Sequence, residues 1–192
     1  MAPAVIYFAR KCVRLLKERS NYQLGFDGER FVGEVLNRLM LDDCHIFHDF
    51  QPDKKGNIDH IVVAPTGVFV VETKTLRKQE APPGRRDNTI VFDGRQLEFP
   101  HETHEYGLQQ AKDNARSLSI WLSSATGEKV FVRPILTFPG WWVESRYNGE
   151  EIKVVNPKQI RSIIFSYEQS LAEDQRQRII HQLDQKCRDV EF

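Results

Sequence analysis

Gly56–Lys74 reads GNIDHIVVAPTGVFVVETK, and the fold turns on it. Two apolar runs, Ile58–Ala64 and Val68–Lys74, flank Pro65-Thr66-Gly67, the composition of two strands joined by a tight turn. Three ionisable residues are set into those runs: Asp59, Glu72 and Lys74. A two-residue loop fixes the pairing. With Pro65-Thr66 as the loop, Asp59 stands opposite Glu72; with Thr66-Gly67, it stands opposite Lys74. In both registers the three share one face, because opposed residues do, and so do residues two apart along a strand. A three-residue loop breaks the arrangement unless a bulge restores it. Carboxylates gathered in an apolar sheet repel each other and are poorly solvated, so they call for a cation. The stretch reads as a divalent-metal clamp with a lysine beside it.

Working outward, His45–Phe50 reads as a preceding strand, delivered to Ile58 by the polar turn Gln51–Asn57. Upstream of it, Phe31, Val32, Val35, Leu36, Leu39 and Met40 recur at helical spacing, which predicts a helix from Gly25 or Asp27 to about Leu41. Downstream, Thr75–Gly94 is a loop rich in Arg, Lys, Pro and Gly that leaves directly from Lys74. Its Arg77, Lys78, Arg85 and Arg86 form a solvated surface or, by their position, contacts to substrate phosphates. Thr89–Phe92 and Gln96–Phe99 flank Asp93-Gly94-Arg95, a hairpin read as an insertion at the sheet's edge. A long helix is predicted from Glu102 or Thr103 to Ser123, with Gln110, Asn114 and Ser117 along one polar edge. Strands at Lys129–Phe138 and near Ile152–Val155 follow. Asn156-Pro157 then opens a helix with a cap residue and a first-turn proline, and Gln169–Cys187 forms the last helix.

The sequence resembles a known family. An Asp on one strand followed by Glu-x-Lys on the next is similar to the PD-(D/E)XK nuclease core. The fuller wording, Gly28-Glu29 ahead of Asn57–Val63 and Gly67–Lys74, resembles the nuclease-related domain (NERD) from about Gly25 to the strand near Phe138. The resemblance implies a restriction-endonuclease-like αβββαβ core, a mixed sheet flanked by helices, which is the element order read above. It implies a metal-dependent nuclease acting on nucleic acid, DNA in the first instance. Asp59, Glu72 and the Thr73 backbone carbonyl would hold Mg²⁺ or Mn²⁺, with Glu29 ligating through water. Lys74 would assist the attacking water and Gln110 would position the complex. Arg77, Lys78, Arg85, Arg86 and Asn114 would contact nucleic acid. The family's Asn-Pro ahead of that glutamine is replaced by Tyr106-Gly107. The alternative is a non-catalytic nucleic-acid- or protein-binding domain on the same fold.

Composition frames these readings. Among 192 residues, 27 basic side chains balance 27 acidic ones, so a strongly basic coat is excluded and nucleic-acid contact must rest on local patches. Cys12, Cys44 and Cys187 lie far apart with no C-x-x-C, which suggests reduced thiols in a cytoplasmic setting. His45, His48 and His60 lie near the carboxylate strands, but His60 follows Asp59 and so faces the opposite side. They are expected to pack or hydrogen-bond in the sheet. Three segments result: 1–24 as an amphipathic helix and linker (Glu18–Leu24), 25–155 as the nuclease-like domain, and 156–192 as a helical extension. The apolar run of the first helix is too short and too charged to span a membrane. Docking onto the body of the protein is its default reading, and partner or membrane-surface contact through residues 4–17 the sharper one.

Overall fold

The computed structural model describes residues 2–52, 56–84 and 86–188. The chain runs α1 (Ala2–Asn37), β1 (His45–Phe50), β2 (Ile58–Ala64), β3 (Gly67–Thr73), β4 (Thr89–Phe92), β5 (Leu97–Glu98) and β6 (Thr103–His104). There follow α2 (Leu108–Thr126), β7 (Val132–Thr137), β8 (Trp142–Ser145), β9 (Lys153–Val155), α3 (Ile160–Ile164) and α4 (Glu173–Arg188). The main sheet has the order β1-β2-β3-β7-β9, antiparallel as far as β3 and parallel beyond it. With α1 before the meander and α2 between β3 and β7, this is the αβββαβ core with a mixed sheet flanked by helices.

Both sheet faces are covered, which is why β2 and β3 read as nearly continuous apolar runs. Ile61, Val63, Val68 and Val70 point to one side, against Ala115, Leu118 and Leu122 of α2 and Ile179, Ile180 and Leu183 of α4. Val62, Ala64, Phe69 and Val71 point to the other, against Val32 and Leu36 of α1 and Ile160 and Ile164 of α3. Each fully buried Val, Leu, Ile or Phe side chain among them contributes roughly 1.5–3 kcal/mol from loss of contact with water. Ala64 pairs with Gly67, so the loop is Pro65-Thr66, the first of the two registers considered. The turn is pinned from outside: Thr66 Oγ1 donates to the Ile164 carbonyl at 2.8 Å and the Ser170 N–H donates to the Pro65 carbonyl.

Several expected boundaries move. Glu18–Leu24 is not a linker: α1 is a single 36-residue helix, because no proline and no glycine interrupts the chain between Pro3 and Gly25. Nor does its first part bury a face against the body: residues 6–23 are exposed and burial begins at Leu24. The β4–β5 hairpin is not an edge insertion of the main sheet. It belongs to a second sheet, β6-β5-β4-β8, closed by the unanticipated strand β8 pairing in parallel with β4. Thr103–His104 is the edge strand of that sheet, so α2 begins only at Leu108, after Gly107 at φ 80°. The residues Phe92, Leu97, Phe138 and Trp141 join this sheet to α2 and β7 in a third apolar cluster.

Gly28 shows why α1 can lie so close to the end of β3. A β-carbon there would sit 2.1 Å from Thr75 Oγ1 and 3.2 Å from Thr75 Cβ. Gly28→Ala is expected to lower the stability of the fold by about 1–3 kcal/mol through overpacking. Adding Thr75→Ala should recover most of the loss. Thermal melts of the two variants check this, and a single variant as stable as the parent would mean that α1 is not held against Thr75.

Candidate active site at the β2–β3 end

The β2–β3 ladder ends at His60 paired with Val71, and one further step of the same register places Asp59 across from Glu72. The strands part there because the Asp59 side chain takes over the ladder's role: Thr73 N–H donates to Asp59 Oδ2 at 2.8 Å. Glu72 lies on the α2 side of the sheet with no exposed surface. Both its oxygens are occupied. Lys74 Nζ donates to Oε1 at 2.6 Å, and Asn114 Nδ2 on α2 donates to Oε2 at 2.9 Å. The convergence of Asp59, Glu72 and Lys74 thus follows from strand periodicity and a two-residue loop.

Burial dominates the electrostatics. It pushes the Glu72 carboxyl up to about 7, aided by the charge of Asp59 and opposed by Lys74 and Asn114. Asp59 is raised for the same reason, with the Thr73 N–H and Lys74 pulling the other way. Glu29, on α1, is raised by burial and then by Asp59 and Asp49. It therefore feels the charge of the same acidic centre. Three carboxyl groups all held above their ordinary range around one ammonium make a site short of positive charge.

Beside Lys74 opens a cavity of about 470 Å³, walled by Leu24 and Glu29 of α1, by Thr73–Arg77 and by Phe99–Glu102. Tyr106 lines it too, its ring 5.5 Å from Lys74 Nζ in a cation–π contact. Gly107 is needed next to it, since a β-carbon there would meet Lys74 Cγ at 2.9 Å. Tyr106-Gly107 therefore seats the lysine.

The family model of the nuclease-related domain matches residues 24–139, from the exposed helix's point of entry into the body to the end of β7 and the residues just after it. The chain belongs to the nuclease-related domain family. No curated protein matches the chain in sequence. Among solved structures, that of Pyrococcus furiosus SfsA in complex with Ca²⁺ is similar over 65% of this chain and 55% of that one, at 12% identity and a TM-score of 0.32, a likeness too slight to carry an argument.

The remaining candidates distribute unevenly around the NERD site. Gln110 is exposed on α2, one turn before Asn114 on the same helical face. Asn114, read as a nucleic-acid contact, is the residue of this edge that reaches Glu72. The signal for it was the four-residue spacing from Gln110 along the helix edge. Arg77 borders the cavity but is held by Ser20 and Asn21 of α1. Arg86 pairs with Glu144 of the second sheet at 2.8 Å, and Lys78 lies beside Gly140. Arg85 lies outside the described residues.

His48 and His60 pack on the α1 side, the face opposite Asp59 and Glu72, while His45 is exposed. His48 Nδ1 and His60 Nδ1 are 2.8 Å apart, and His48 Nε2 meets Asn37 Oδ1 at 3.0 Å. Burial lowers both, His60 to about 4, so the pair is neutral. Among the described residues no three His, Cys, Asp or Glu side chains are grouped to hold a metal ion. Asp59 and Glu72 are oxygen donors of the kind Mg²⁺ or Mn²⁺ takes, an ion bound through one or two carboxylates that keeps several waters, and the cavity begins beside them at Thr73 and Lys74.

Proposed function

We propose that this NERD protein is a Mg²⁺- or Mn²⁺-dependent nuclease hydrolysing phosphodiester bonds of nucleic acid, DNA in the first instance. One observation carries the reading most: Glu72 has no exposed surface, is raised to about 7, and stands beside a second raised carboxyl, Asp59. A buried carboxyl group next to a half-buried one would, without a compensating role, only cost stability. Asp59, Glu72 and the Thr73 carbonyl are the ligands this reading assigns, with Glu29 acting through water. A hard divalent ion bound there lowers the pKa of a water and offsets charge on the phosphate.

The protein's own groups supply the rest. Asn114 fixes the rotation of the Glu72 carboxyl, leaving Oε1 directed at Lys74. Lys74, positioned by Tyr106 and Gly107, is placed to leave Glu72 for an incoming water or phosphoryl oxygen and to donate a hydrogen bond there. The cavity beside it takes the substrate, with Arg77 at its wall.

Labelled single- and double-stranded DNA and RNA, incubated with Mg²⁺, Mn²⁺ or chelator, test the reading. Cleavage is expected with metal, none with chelator, and none from Asp59→Asn. Metal calorimetry on the same pair should show binding only to the parent. Absence of metal-dependent cleavage on all four substrates would favour a binding domain on the same fold.

A further inference from the structure

The first half of α1 has an apolar face that no other described residue covers. Ile6, Phe8, Cys12, Val13, Leu15 and Leu16 fall within an arc of about 180° at 3.6 residues per turn. Ile6, Phe8, Val13, Leu15 and Leu16 are each 49–63% exposed. Arg10, Lys11, Arg14, Lys17 and Glu18 occupy the remaining arc, four cations against one acid, and Glu18 is already beside Arg14 at 3.6 Å.

We propose that this helix segment docks the protein onto an anionic lipid bilayer, lying in the plane of the interface with its apolar face among the acyl chains. Charge complementarity selects the occupant. An apolar face flanked on both sides by cations fits a surface that is greasy within and negative at its headgroups. A second copy of the helix fits poorly, because the apolar arc is far wider than a two-helix seam and the flanking cations would meet cations. Nucleic acid would satisfy Arg10, Lys11, Arg14 and Lys17 but leave the apolar face in water. The helix is not one that crosses a membrane: no described helix is long and apolar enough. Eight residues beyond Leu16, at Leu24, α1 becomes a wall of the cavity, so docking would hold the cavity roughly 12 Å along the helix from the surface.

Co-sedimentation of the full chain with vesicles of mixed phosphatidylcholine and phosphatidylglycerol, and of phosphatidylcholine alone, tests the proposal. The net charge of three should favour the anionic vesicles by about a hundredfold at low salt. Raised salt should reduce that preference. Phe8→Asp combined with Leu16→Asp should abolish sedimentation while circular dichroism and thermal melting remain those of the parent, since both side chains are exposed. Equal binding to both vesicle types, no binding to either, or binding retained by the double variant would each overturn the proposal. So would a concentration-dependent dimer lost in the double variant without vesicle binding, which would assign the face to a second copy. Retention of labelled nucleic acid that depends on Arg10 and Arg14, again without vesicle binding, would assign it to nucleic acid.

Discussion

Glu72→Gln is expected to lower metal-dependent cleavage by on the order of a thousandfold or more, and to leave the protein at least as stable as the parent at pH 8. The first effect follows from charge. Glutamine keeps the shape of the side chain and can still face Asn114 and Lys74, but it takes away one of the two anionic oxygens assigned to the ion. A loss of several kcal/mol of charge stabilisation in the transition state is worth a factor of ten for every 1.4 or so. The second effect follows from burial. A carboxylate with no exposed surface is a cost to the fold that glutamine removes. Lys74→Met supplies the contrast: it should also suppress cleavage, but it strips Glu72 of its nearest cation and should destabilise the fold at pH 8. Single-turnover assays on a cleaved substrate together with melting curves separate the two. Full activity in Glu72→Gln would remove the carboxylate from the chemistry, and a large loss of stability in it would mean that Glu72 has a structural part to play.

Glu72 and its partner Asn114 were legible to different degrees because the sequence encodes them at different ranges. Asp59, Glu72 and Lys74 lie on adjacent strands joined by two residues, so a period of two and a short loop were enough to bring them together. The same local rules placed His60 on the opposite face, where it pairs with His48. Asn114 comes from a helix 42 residues after Glu72, and only the packing of α2 against β3 and β7 decides which of its polar residues reaches the carboxylate. Pattern alone left Gln110 and Asn114 on one edge without ranking them. β8 was missed for a related reason: four residues, Trp142–Ser145, carry too short an alternation to announce a strand, and only pairing with β4 makes it one. The unbroken α1 was lost differently. Ser20-Asn21-Tyr22 has the polar composition of a linker, yet each residue costs a helix well under 1 kcal/mol, too little to break it.

Without metal, the stability of Glu72→Gln relative to the parent should grow as pH rises from about 4.5 to 7, and divalent metal should restore more stability to the parent at pH 8 than at pH 6. Glu72 is the reason. Its folded carboxyl titrates near 7 against an ordinary 4.5. Below 4.5 the group is protonated in the folded and unfolded chain alike, and its burial is nearly free. Between 4.5 and 7 the unfolded chain gives up the proton while the folded one keeps it, so the unfolded state gains. Above 7 both are ionised and the full difference, about 3 kcal/mol, is lost to the fold. Asp59, also raised, adds in the same direction. His60 opposes it over part of the range: lowered from 6.5 to about 4, it costs the fold stability as pH falls through that interval. The difference in unfolding free energy between the parent and Glu72→Gln cancels His60 and isolates the carboxylate. That difference should be near zero at pH 4.5 and favour the variant increasingly up to pH 8. Added Mg²⁺ or Mn²⁺ binds the ionised carboxylates, so it should narrow the gap at pH 8 and do little at pH 5. Chemical denaturation across pH, with metal or chelator, measures all of this. A gap that is flat with pH would mean that Glu72 titrates as an ordinary carboxylate. A gap that grows with pH but ignores metal would leave the buried pair intact and place the ion elsewhere.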